Sequence, residues 1–235
     1  MNEIITIDDL VRSYNILVKG IDYEADRTAD RAYGGIIRSS KGKLVESIAK
    51  QLLEISWREL GGNQKRLSFS SNKIHVPILD SYINKMENNE IADYIRKNID
   101  KYYYGLRVDI HAFIDDNFVL GIECKAYTEN AMLKRILVDF TLLKKTYPNL
   151  DCFLFQLESQ LGGDYSDIFK EIKYGSPSSH TLMSYFDVDL NIITLLEGER
   201  KVDEPIHDSD YYKELKRNSL IRASDRFKEK LSKFL

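Results

Sequence analysis

The strongest helical period in the chain lies in KGKLVESIAKQLLEISWREL, residues 41–60. Leu44, Ile48, Leu52 and Ile55 recur there at spacings of three and four, and Leu60 extends the same face. Gly61 and Gly62 follow directly and read as its stop. A weaker period at Ile4, Ile7, Leu10, Val11 and Ile16 predicts an N-terminal helix over 4–19, entered through Thr6 and Asp8. Between the two, residues 22–40 are polar and contain Gly34 and Gly35, so they read as a connecting loop.

Beyond Gly62 the period shortens. KRLSFSSNKIHVPI alternates in part and fits one strand or an irregular hairpin, after which residues 81–103 return to a helical period as an insertion. RVDIHAFIDDNFVLGIECKAY gives two strands, 107–114 and 118–126, joined by Asp115, Asp116 and Asn117. A helix follows, with Met132, Leu133, Ile136, Leu137, Phe140 and Leu143 on one face and Pro148 just past its end. DCFLFQLE is nearly continuous apolar sequence, the mark of a strand covered on both faces. SPSSHTLMSYF then reads as a short helix and NIITLLEG as a strand. Residues 209–234 read as a charged helix on the surface or at a subunit contact. The order helix, strand, strand, strand, helix, strand predicts an α/β (α+β) chain, a mixed sheet flanked by helices.

Bulk properties narrow the setting. A chain of 235 residues, 43% apolar and 30% charged, can bury one substantial core, and a single domain over 1–235 is expected. No run reaches the roughly 18 apolar residues of a membrane span, and MNEIITIDDL lacks a basic start followed by an apolar stretch; a cytoplasmic protein is the expectation. Cys124 and Cys152 lie inside apolar runs and read as reduced, buried thiols. A net charge of −3 means that any nucleic-acid binding must use local basic patches.

The hairpin poses the chemical question, because Asp109, Glu123 and Lys125 stand among apolar neighbours, and buried charges are costly unless compensated. With Ile114 and Phe118 flanking a three-residue loop, paired positions sum to 232, which sets Asp109 opposite Glu123. Residues two apart share a strand face, so Lys125 joins them, while Phe118, Leu120, Ile122 and Cys124 form the core face. Facing carboxylates repel unless a cation sits between them. A hard divalent ion such as Mg²⁺, held by both carboxylates and the Cys124 backbone carbonyl, answers this, with Lys125 beside it to hold an attacking water and offset phosphate charge. A plain salt bridge from Lys125 to either acid answers it too.

In context these residues resemble the PD-(D/E)XK nuclease superfamily, through Asp109 and then Glu123-Cys124-Lys125, with Val108 where the motif often has Pro. GKLVESIAKQLL resembles that family's first core helix, whose acid corresponds to Glu46. The resemblance covers residues 42–158. It implies a restriction-endonuclease-like αβββαβ core, with a helical insertion over about 78–104 and an extension over about 160–235. It also implies Mg²⁺-dependent cleavage of double-stranded DNA leaving 5′-phosphates, with Asp109, Glu123, Lys125 and Glu46 as catalytic residues. Size points to a type II restriction endonuclease acting as a homodimer on a palindrome. The alternatives are a structure-specific repair or junction-resolving nuclease and a non-catalytic DNA-binding module of the same fold.

Other residues have weaker claims. His111 shares the face of Asp109 and either approaches the site or is satisfied inside the core; Gln156 is a candidate support from the next strand. Lys41 and Lys43 stand before the core helix, where backbone N–H groups also suit a phosphate. With Lys65, Arg66, Lys73, Lys134 and Arg135 they are candidate DNA contacts.

Overall fold

The computed structural model describes residues 5–25, 31–162, 175–204, 206 and 208–235. The first helix, α1 (Ile7–Ala25), is capped by a reciprocal pair: Thr6 N–H donates to Asp9 Oδ2 at 3.0 Å and Asp9 N–H to Thr6 Oγ1 at 3.3 Å. The second, α2 (Arg31–Glu59), overturns the expected loop, because all of 31–40 is helical and only 26–30 lies outside the described residues. A glycine inside a helix costs about 1 kcal/mol relative to alanine, and this helix of 29 residues carries three of them, Gly34, Gly35 and Gly42. The predicted stop holds: Gly61 takes a positive φ of 82°, and Gly62 lies so close to the Trp57 indole that no side chain fits there.

Strands β1 (Leu67–Ser70), β4 (Ile110–Ile114), β5 (Asn117–Glu129), β6 (Asp151–Gln160) and β7 (Leu190–Thr194) form one mixed sheet in the order β1-β4-β5-β6-β7. The first two pairings are antiparallel and the last two parallel. A separate two-stranded sheet pairs β2 (Ile74–Pro77) with β3 (Tyr103–Leu106), so KRLSFSSNKIHVPI is neither a single strand nor a hairpin but feeds two sheets. The segment between β2 and β3 carries the short helix α3 (Asp80–Ile83) and α4 (Asn89–Lys97), as the helical period predicts; Tyr103, at the end of that period, is already in β3.

Helices cover both sheet faces. On one side, α1, α2 and α7 (Arg217–Leu231) bury Tyr14, Leu52, Trp57 and Phe227 against Leu120, Ile122, Phe153 and Phe155. The C-terminal helix is therefore core, not the expected surface element, with the Phe227 ring 5.1 Å from that of Phe153. Its charged residues cover its outer side. On the other side, α5 (Asn130–Thr146) and α6 (Pro177–Ser184) pack on Cys152 and Leu154, and Leu133, Ile136, Leu137, Phe140 and Leu143 of α5 are buried as read from the sequence. Both cysteines are free and buried. Among the described residues no helix is long and apolar enough to cross a membrane.

The β4–β5 connection differs from the expected loop in an instructive way. Asp115 and Asp116, both at positive φ (49° and 63°), make a two-residue turn, and Ile114 pairs with Asn117. A bulge then leaves Val119 without a partner, and from Ala112↔Leu120 to Ile110↔Ile122 the pairs sum to 232, the expected value. The extra residue also moves Phe118 to the opposite face from Leu120, onto the α5 side beside Tyr147.

Candidate active site

The restored register decides what meets what. Asp109 lies one residue before β4, and its Oδ2 accepts the Cys124 N–H at 2.7 Å, which anchors that carboxylate to β5. Glu123 and Lys125 leave β5 on the same face, two residues apart. The Lys125 ammonium sits among three oxygens: Glu123 Oε1 at 2.5 Å, the Cys124 carbonyl at 3.1 Å and Asp109 Oδ2 at 3.4 Å. The three charges of the hairpin thus compensate one another, and the salt-bridge reading holds for the chain as it stands.

Electrostatics agree with that geometry. Burial raises the Glu123 carboxyl above the ordinary value against the opposing pull of Lys125, and Asp109 and Asp139 push it further up. Burial alone would lower the Lys125 ammonium, but Glu123 and Asp109 more than reverse it and hold it above the usual lysine value. Cys124, whose thiol points into the α2 side, is held well up by burial and by the surrounding acids. It contributes its carbonyl, not its sulfur.

The same three oxygens are the right donors for a hard cation: two carboxylates and a backbone carbonyl converge on one positive group. Among the described residues no three His, Cys, Asp or Glu side chains gather to hold a metal, so a cation here would complete its shell with water or phosphate oxygens.

Comparison with known proteins decides the family. The chain is 54% identical over 228 residues to the "Type II restriction enzyme DdeI" of Desulfomicrobium norvegicum, covering 95% of each. The chain belongs to the type II restriction enzymes, in the PD-(D/E)XK class. No family model and no solved structure matches it.

In this restriction enzyme the other expected residues are distributed unevenly. Glu46 is exposed on α2; its charge reaches the Cys124 thiol, yet it is not drawn into contact with Asp109 or Glu123. Gln156 stands directly beside Lys125 in the parallel register, wholly buried, with Nε2 donating to Thr194 Oγ1 at 3.0 Å. His111 packs inward: its Nε2 accepts the Val108 N–H at 3.2 Å, its ring lies 5.0 Å from Phe118, and burial and Arg107 lower its pKa. It is therefore a neutral core histidine.

Two expected DNA contacts are otherwise engaged. Arg66 makes two hydrogen bonds to Asp115 Oδ2 and Oδ1 through Nε and a third through Nη2, and Nη2 also meets the Phe234 carbonyl at 2.8 Å; it ties the turn to the C-terminus. Lys41 is 7% exposed and lies ten residues inside α2, so it is not at a helix start and offers no free N–H groups nearby. Lys43, Lys65, Lys73, Lys134 and Arg135 are exposed.

One residue escaped the reading of the sequence. Asp139, on the α5 face turned toward the sheet, has a side chain 21% exposed, its carboxyl is raised by burial, and it interacts electrostatically with both Glu123 and Lys125. The available signal was an acid between the buried Ile136 and Phe140 on the helix that follows the motif.

Proposed function

We propose that this restriction enzyme is a Mg²⁺-dependent endonuclease that cuts both strands of double-stranded DNA at a specific, palindromic sequence and leaves 5′-phosphates. The observation that carries the reading is the oxygen seat formed by Asp109, Glu123 and the Cys124 carbonyl around the Lys125 ammonium. Asp109, Glu123 and that carbonyl would hold the metal, which when bound supplies charge neutralisation at the phosphate and acidifies water.

The rest of the chemistry falls to the chain. The Cys124 N–H fixes Asp109 through Oδ2, the same oxygen that faces Lys125 in the seat. Glu123, mostly buried, keeps its orientation through β5, the long strand with neighbours on both sides. Lys125, displaced from the seat, orients the attacking water and offsets negative charge on the phosphate. Gln156 supports Lys125 from the neighbouring strand, and Glu46 assists from α2. The exposed Lys43, Lys65, Lys73, Lys134 and Arg135 supply phosphate contacts, which position DNA without reading it. A two-fold target implies a homodimer with one site per strand. Reduced Cys124 and Cys152 suit the cytoplasm.

Digestion of plasmid DNA tests this. Discrete fragments in Mg²⁺ and intact plasmid in EDTA are expected; cleavage of branched substrates alone would replace sequence reading with structure reading.

A further inference from the structure

The helical segment between β2 and β3 has only a small core of its own, in which Ala92 and Ile95 of α4 pack on Ile83. The opposite face of α4 is open. It carries Glu90 near the start, Tyr94 (62% exposed) in the middle and Lys97 at the end, one above the other at helical spacings of four and three. Ile91 extends the face and is more than half exposed. Asp93 is already paired with Arg96 at 3.0 Å, whereas Glu90 and Lys97 have no partner among the described residues.

Resting on the reading above that the enzyme works on a two-fold target, the geometry points to a second copy of this chain as the occupant of the open α4 face. The two α4 helices would run antiparallel across a two-fold axis at Tyr94.

The open face of α4 is self-complementary. Turning α4 about an axis through Tyr94 sets Glu90 of each copy against Lys97 of the other and stacks tyrosine on tyrosine. This is the residue-i-to-j, j-to-i pattern of a two-fold contact. A large exposed tyrosine at the centre with charges at the margin matches the composition of protein interfaces. DNA fits the face less well: residues 80–101 hold five acids (Asp80, Glu87, Glu90, Asp93, Asp100) against four bases (Lys85, Arg96, Lys97, Lys101), and duplex phosphates demand cationic excess.

Sedimentation equilibrium of the full chain tests the contact, with far-UV circular dichroism to confirm folding. Wild type is expected to dimerise. Glu90→Lys alone and Lys97→Glu alone each set like charges face to face and should weaken self-association at least about tenfold. An equimolar mixture of the two variants should recover the wild-type dimer as a heterodimer, since both cross pairs then have opposite charges, and Tyr94→Asp should not be rescued by either. A monomeric wild type, unchanged association of both charge variants, or no recovery on mixing would overturn the proposal. So would variants that dimerise normally but bind duplex DNA more weakly. A dimer that responds as described yet cuts no DNA would instead count against the nuclease reading and leave this contact standing.

Discussion

Two lysines are drawn into the body of this protein, and the sheet treats them in opposite ways. Lys125 meets two carboxylates and a carbonyl, and its pKa rises; burial lowers the pKa of Lys41 to about 8, with the charge of Glu158 opposing the fall and that of Arg200 adding to it. Glu158 is itself shared, since Lys213 holds it at 2.8 Å. Burial by itself therefore does not mark a functional cation. What marks Lys125 is an excess of oxygens, arranged so that a second cation can take its place.

The largest effects are expected at the seat. Glu123→Ala or Lys125→Ala is expected to lower the cleavage rate about a hundred- to a thousandfold, the size of effect that loss of one electrostatic catalytic group produces, with duplex affinity nearly unchanged. Single-turnover kinetics and a binding isotherm in Ca²⁺ separate the two. Substantial cleavage by either variant would remove the site assignment. Glu46→Gln, at an exposed position away from the pair, is expected to cost less than Glu123→Ala.

The shared seat also has a signature in stability. Lys125→Met leaves Asp109 and Glu123 facing each other without a cation, so the metal-free protein should lose on the order of 2 kcal/mol, and millimolar Mg²⁺ should restore more of that loss than it adds to wild type. Equal metal effects on the two melting curves would contradict the shared seat.

Lys41 should behave in the reverse sense. Its folded pKa lies below its unfolded value, so the unfolded chain holds more protons between about pH 8 and the ordinary lysine value, and stability rises with pH across that window. The penalty is in full below about pH 8. Lys41→Met should remove a rise on the order of 3 kcal/mol, seen as a loss of difference between wild-type and variant denaturation curves as pH climbs. A difference that stays constant with pH would show that Lys41 is not held against its charge.

The smallest effect is expected at Arg66. Its pairing with Asp115 lies at the surface, so Arg66→Ala should lower the melting temperature only slightly, and less in high salt than in low. Cleavage should not change, because the hydrogen bonds of Arg66 go to the turn and the C-terminus.

Legibility in the sequence followed the range of the interactions involved. The faces of α5 and the buried course of β6 are written in local periodicity, and both emerged as read. Asp109, Glu123 and Lys125 were legible because alternation along a strand assigns faces without knowledge of the partner. The residues 31–40 were not, since glycines there suggested a break that a long continuing helix tolerates. Nor was the assignment of Arg66, whose partners at 115 and 234 are distant in sequence.

The sequence by itself determined the mixed α/β order, the hairpin and the three charges on one face, because side-chain direction in a strand is a property of the backbone. Folding in three dimensions was needed to show that a bulge at Val119 returns Asp109 to Glu123, that Lys125 fills the seat between them, that the charge of Asp139 reaches it from α5, and that Lys41 and His111 turn inward. Those outcomes depend on register and on which charges meet across the fold. Such meetings are set by packing between elements far apart in the chain, and no local pattern encodes them.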